Sequence, residues 1–287
     1  MTRHHHAWKG ALLGAVGVLS VSVLSACSDD PADAVDASCT PDHEFTTIEE
    51  GTLTVATYDF RPHMAVEGDK LGGVEGDLLA EFAARECLTI TPQVAGGAGA
   101  AIPSVETGRA DLAAGDWWRT KDREKVVSLS APVYLDQGAL VSTEGFQTVA
   151  ELEGHRIGSV VGNLWNDQFA DVFGDDFAVY QDPEAVFNDL AAGRIDAIID
   201  SVGATTARFE AKPIEGAEIV PLEADPRIPV TANPGQLNWP TSKDNPELTA
   251  ALDEQIEAMR EDGTIAEMLE KHGLDASAAD VGEPALL

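Results

Sequence analysis

Two stretches of this chain repeat one grammar, and that repeat limits its architecture more than any other feature. Residues 52–57 (TLTVAT) alternate and are rich in β-formers, which predicts a strand. Leu78, Leu79, Phe82 and Ala83 then recur at helical spacing behind Asp77, the expected cap. A strand over 88–94, a short helix through Ile102 and Val105 stopping at Gly108, and an apolar strand over 110–114 follow. The order starts again with a strand over 156–161, a helix from Asn163 to Phe173 and a strand over 178–180. Asp182-Pro183 opens the next helix, which ends at Gly193 before a strand over 195–199. At matching points Gly108-Arg109-Ala110-Asp111 echoes Gly193-Arg194-Ile195-Asp196, a helix stop turning into a strand. Strands alternating with helices call for parallel sheets covered on both faces, so two similar α/β lobes are expected. Beyond them, Asn245-Pro246 starts a helix through Leu248 and Met259 to Gly263, and Thr264 to Glu267 has capping-box spacing for a last helix. Residues 274–287 read as a loose acidic tail.

Charge removes one class of partner. The 287 residues carry 50 acids against 18 bases, a formal net charge of −32, with no basic stripe, so nucleic acid is excluded. At the amino end Arg3 and Lys9 precede an apolar run over 10–24 that is too short to span a bilayer and ends in Leu24-Ser25-Ala26-Cys27. This is an export signal over 1–26. Its ending resembles a bacterial lipobox, which implies lipid attachment at Cys27 and anchoring at the outer face of the cell membrane. Residues 27–45, rich in Asp, Ala and Pro, read as a disordered tether. Cys39 and Cys87 remain as an even pair outside the cytoplasm, which predicts a disulfide from the tether's end to the end of the first helix. His43, His63, His155 and His272 are scattered without metal-ligand spacing, so neither a metal nor a cofactor is expected.

In open parallel sheets a ligand sits beyond the carboxyl ends of the strands, and two such sheets facing each other make a crevice. The loops there offer Tyr58 and Phe60, the stretch from Gly115 to Arg123 with Asp116, Trp117 and Trp118, then Asn163, Asp200 and Ser201. Arginine offers a forked donor pair to a carboxylate, aspartate accepts from an ammonium, and aromatic rings cover an apolar or cationic body. Trp117 and Trp118 would point opposite ways, one into the crevice and one into packing. Trp165 and Trp239 read as core or surface residues, Asp111 and Asp196 as supports for strand entry.

Several separated motifs carry a resemblance over residues 51–273. These are Gly73-Val74-Glu75-Gly76-Asp77-Leu78, Thr120-Lys121-Asp122-Arg123, Ser130-Ala131-Pro132-Val133-Tyr134, Leu152-Glu153-Gly154-His155-Arg156-Ile157-Gly158, Gly193-Arg194-Ile195-Asp196-Ala197 and Asp262-Gly263-Thr264. In order and spacing they resemble the extracellular solute-binding proteins of family 3, the receptors of polar amino-acid ABC importers. The resemblance implies a type II periplasmic-binding-protein fold, two doubly wound α/β lobes joined by two crossing segments near 140–142 and 236–241. The lobes would then be 46–143 with 237–273, and 144–236. It further implies a monomer that takes a small polar solute, an amino acid or related amine, to an ABC permease.

By the same resemblance Arg123 matches the arginine that pairs with a ligand carboxylate, Asn163 the donor to that carboxylate, and Tyr58 and Phe60 the lining aromatics. The ammonium partner departs from the pattern, since Ser201 stands at its position and Asp200 one residue early. Asp200, Asp116 or Glu75 is left to fill that role, unless the solute is not an ordinary α-amino acid. Some exported relatives are cyclohexadienyl or arogenate-type dehydratases, for which Glu75 or Asp116 would be the acid. A ligand-sensing lipoprotein is a third reading.

Overall fold

The computed structural model describes residues 38–94 and 98–287; the export signal, Cys27 and most of the tether lie outside them. The first lobe begins with β1 (Thr52–Thr57), β2 (Ala65–Glu67), β3 (Lys70–Gly72), α1 (Gly73–Arg85) and β4 (Thr89–Val94). It continues with α2 (Ala101–Glu106), β5 (Leu112–Ala113), α3 (Lys121–Val126) and β6 (Ser128–Leu129). The chain leaves through β7 (Leu135–Asp136). The second lobe holds β8 (Gly138–Ser142), β9 (Ile157–Val160), α4 (Asn166–Phe173), β10 (Phe177–Tyr180), α5 (Pro183–Ala191), β11 (Ala197–Ser201), α6 (Val202–Ala211) and β12 (Glu218–Pro221). The return runs through β13 (Gly235–Gln236) and β14 (Pro240–Thr241) to α7 (Pro246–Glu261) and α8 (Thr264–Lys271).

Each lobe is built on a five-stranded sheet, in the orders β4-β1-β5-β14-β6 and β10-β9-β11-β8-β12. The parallel cores β4-β1-β5 and β10-β9-β11 are the two predicted repeats. Their edges are antiparallel, through β14 and β6 in one sheet and β8 and β12 in the other. The sheets are therefore mixed, which the strand–helix alternation did not predict. Buried Val55, Leu79 and Phe82 fill one face of the first lobe, and Ile157, Ile199 and Phe169 that of the second.

The echo between the lobes has one physical role. Gly108 and Gly193 take φ of +65° and +67°, the left-handed turn that stops a helix. The aspartate three residues on then accepts from the neighbouring chain: Asp111 from the Thr54 and Ile48 amides, Asp196 from the Arg156 amide. Each holds the start of its lobe's central strand in register.

Several expected boundaries are corrected. Helix α1 starts at Gly73, not behind Asp77, whose carboxylate instead bonds Lys271 and His272 of α8. Helix α4 starts at Asn166, three residues after Asn163. Thr264 is the first residue of α8 rather than its cap, and its amide and hydroxyl both donate to Asp262. The outward crossing lies at β7, paired with β13 in a two-stranded ladder, so residues 140–142 already belong to the second sheet.

Both ends of the body are tied down. Cys39 and Cys87 form the expected disulfide, and Phe45 stacks on Phe82 at 6.2 Å, so residues 38–45 are packed rather than free. The segment expected to be loose is also docked. The Gln236 side chain of β13 bonds the carbonyls of Val281 and Glu283 and the amide of Ala285, and Leu287 exchanges backbone bonds with Arg119 and Lys121.

Candidate functional site

The site grows from the loops after β1 and β5. Glu75, fully buried in the first turn of α1, accepts from the amides of Gly115 (3.0 Å) and Asp116 (2.6 Å) and from Trp239 Nε1 (3.1 Å). That clamp holds Gly115 at φ +125° and Asp116 at φ +63°, conformations a side chain resists. Tyr58 covers Gly115, with its hydroxyl donating to the Gly115 carbonyl at 2.8 Å. Its ring meets Phe60 at 5.9 Å and Trp117 edge-on at 6.1 Å. Trp117 in turn lies under the Arg123 guanidinium at 4.7 Å.

Arg123 sits in α3, whose cap Thr120 accepts from the Arg123 amide. Its Nη1 donates to the Trp118 carbonyl, and among the described residues it forms no ion pair. Trp118 crosses toward the hinge. Its indole donates to Asp116 at 2.9 Å, covers Gly235 so closely that a Cβ there would stand 2.0 Å from the ring, and meets Trp165 of the second lobe at 5.8 Å. Both tryptophans are buried and pack in different clusters, Trp117 with Ala56 and Ala113 of the first sheet and Trp118 in the larger core that includes Trp165.

The second lobe answers with a polar cluster. Asn163 does not cap a helix; its Nδ2 donates to Ser159 Oγ and to Asp200 Oδ1 at 3.2 Å. Asp200, buried, also accepts from the Ser201 amide, and burial raises its carboxyl to about 6. Ser201 caps α6 and stands 3.3 Å from His63 Nε2, which makes Ser201 rather than Asp200 the residue that touches the first lobe.

Sequence reasoning gave no role to His63 or Asp136 and read Tyr134 only as the end of a motif; Trp165, read as core or surface, is buried in the core. His63 is fully buried, stacked between Phe60 (5.5 Å) and Tyr134 (5.9 Å), with Nδ1 2.8 Å from the Tyr134 hydroxyl. Burial drops its pKa to about 3, so the ring is neutral. Asp136, in β7, places Oδ2 3.7 Å from His63 Nε2. Burial raises Asp136 to about 6 and Glu75 to about 7, while Asp116 is pushed well up by burial and then by Asp136 and Glu75. The loop-after-strand rule that picked Tyr58 and Phe60 reaches His63 when extended three residues. Asp136 lies two beyond the motif ending at Tyr134, in a segment that reads only as a crossing.

Arg123 thus stands near a group of buried acids, Asp116, Glu75 and Asp136, with the Trp117 ring packed against it and Tyr58 against that ring. Such acids accept a positive group, and the guanidinium a negative one.

Over residues 53–275 the chain matches the family profile of bacterial extracellular solute-binding proteins, family 3. The chain belongs to that family. It is 27% identical over 232 residues to the lysine/arginine/ornithine-binding periplasmic protein of Escherichia coli K12, covering 79% of this chain and 87% of that one. To the L-cystine-binding protein TcyJ of the same organism it is 26% identical over 274 residues, covering 93% and 96%. Among solved structures, an ancestral arginine-binding protein bound to arginine superposes with a TM-score of 0.66 at 24% identity, covering 78% of this chain and 98% of that one. ArtJ from Geobacillus stearothermophilus, an arginine-, lysine-, histidine-binding protein, gives 0.64 at 17%, covering 77% and 95%. The two-lobed type II fold is therefore shared. These relatives are binding proteins, not enzymes, and a Glu75 committed to three N–H donors is poorly placed to act as a catalytic acid.

Proposed function

We propose that this family member is the lipid-anchored receptor of an ABC importer, held outside the cell membrane through Cys27, working as a monomer and closing its lobes around an amino acid or related amine. The observation that carries the reading is Arg123, half-buried on the crevice wall, stacked on Trp117 and without a carboxylate of its own. A guanidinium stacked on an indole and lacking an ion pair among the described residues suits a bidentate acid, and the solute's carboxylate fills that part in this reading. Asp116 is the carboxylate best placed for the solute's ammonium, because Glu75 is spent on the loop and Asp200 on Asn163. Tyr58 and Phe60 line the solute's side chain. The names of the relatives, which read lysine, arginine, ornithine and cystine, support an amino-acid ligand, and the group of buried acids favours one with a basic side chain.

A thermal-shift panel of amino acids, polyamines and betaines tests this, since occupancy at a hundredfold excess over Kd stabilises by about 2.7 kcal/mol. Arg123→Ala is expected to weaken the best ligand by at least about a hundredfold, roughly 3 kcal/mol, with the unfolding midpoint of the free protein nearly unchanged. Equal affinity in the variant would put the carboxylate elsewhere. Cys27→Ser is expected to release the protein from membranes, and a Cys27 peptide of unmodified mass would refute the anchor.

A further inference from the structure

Three acceptors far apart in the sequence converge where the first lobe meets the hinge. A ring nitrogen of His63 and one carboxylate oxygen each of Asp116 and Asp136 lie within 4.8 Å of one another. The Asp136 side chain is only 6% exposed; its carboxyl group is approached by the Gln137 and Gly203 amides and the Ser201 hydroxyl, but its Oδ2, the atom 3.7 Å from His63 Nε2, keeps no well-aligned hydrogen bond among the described residues. A carboxylate oxygen cut off from water and without a well-aligned hydrogen bond is costly, and a cation beside it removes that cost.

The supports of the cluster are stiff. The Tyr134 hydroxyl holds His63 Nδ1 at 2.8 Å and two rings sandwich the imidazole, so Nε2 is aimed at the cluster. Metal-binding histidines have their other nitrogen engaged in this way. Asp116 rides on the loop clamped by Glu75, and Asp136 on the ladder of β7 with β13.

We propose that His63, Asp116 and Asp136 form a divalent transition-metal site at the hinge end of the crevice. One imidazole and two carboxylates suit Zn²⁺ or Mn²⁺, and the two acids balance the ion's charge. Mg²⁺ prefers oxygen and water, and Cu(I) wants sulfur, which the cluster lacks. The second lobe stands against the site without supplying a ligand to it. Ser201 stands 3.3 Å from His63 Nε2, and a Cβ on Gly203 would come within 2.6 Å of it, so an ion seated there favours the closed arrangement. With an ion seated, Asp116 faces the metal rather than an ammonium, and the positions left open by three protein ligands take a solute's carboxylate or neutral amine. The spacing of histidines in the sequence gave no sign of this, because the fold brings the three ligands together from three separate segments.

The test uses the full chain stripped with a chelator and titrated with Zn²⁺, Mn²⁺ and Mg²⁺, beside His63→Gln and Asp136→Asn. His4, His5, His6 and the surface histidines take up ions in every variant, so the readout is the difference. The wild type is expected to bind one Zn²⁺ or Mn²⁺ more per chain than either variant, with no difference for Mg²⁺. Equal stoichiometry in all three chains, with unchanged far-UV circular dichroism, overturns the site. Should a variant fail to fold, the wild type alone decides. Mn²⁺ that broadens the His63 imidazole signal supports the site, and broadening confined to the other histidines refutes it. Equal ion stoichiometry with amino-acid binding intact sinks the metal site and leaves the receptor reading standing; an extra ion in the wild type with no amino-acid binding does the reverse.

Discussion

At the scale of single residues, the site is a contest between burial and charge. Asp200 lies in the second lobe with its carboxyl raised to about 6 against an ordinary value of 3.8, burial outweighing the hydrogen bonds from Ser201 and Asn163. The folded state therefore holds this proton over a range where the unfolded chain has released it. Stability conferred by the group falls as pH rises from about 4 to about 6. Asp200→Asn removes the ionisation, so between those pH values the unfolding midpoint of the wild type is expected to drop relative to the variant. Parallel pH profiles would show that Asp200 ionises in the folded protein as freely as in water. Legibility at this scale followed chemistry type. Tyr58, Phe60 and Asp116 sit in loops whose position the strand pattern reveals and Arg123 in the short helix that follows, and Tyr58, Phe60 and Arg123 gather around Trp117. Glu75, one of three carboxylates open to the ammonium role, accepts from the Gly115 and Asp116 amides of the neighbouring loop. No pattern in one dimension tells whether a buried acid faces a ligand or a neighbouring amide.

Among the elements, the parallel cores were readable because each strand and helix carries its own period and its own stop. The antiparallel edges were not. Strands β6 and β14 are two residues each, too short to show alternation, and their pairing is set by where the chain returns from the other lobe. Helix α6 went unpredicted because its small and polar stretch, VGATTARFEA, has a weak apolar stripe. The Cys39–Cys87 pair, by contrast, followed from counting. It closes a loop of sequence separation 48 and pins the incoming segment beneath α1. Reduction, or Cys39→Ser, is expected to cost about 2–4 kcal/mol by freeing the unfolded chain. Denaturant titration with and without a reductant checks this, and coincident curves would make the bridge dispensable.

For the molecule as a whole, the β7–β13 ladder carries the chain between the two lobes, where the proposed closure would turn, and Gly235 is a tight point in it. A methyl group there would stand 2.0 Å from the Trp118 ring, so Gly235→Ala must displace the indole or the strand. We expect at least a tenfold loss of solute affinity and a larger radius of gyration in solution scattering under saturating ligand. Unchanged scattering and affinity would show that closure does not need the indole seated on that glycine.

The indole pair formed by Trp118 and Trp165 has a practical corollary. The two rings sit on opposite lobes and touch edge to face at 5.8 Å, so any swing of the hinge separates them and admits water to both. Their intrinsic emission should shift to longer wavelength as the lobes part and return as a guest is taken up. The protein carries its own optical gauge of occupancy, with no dye to attach.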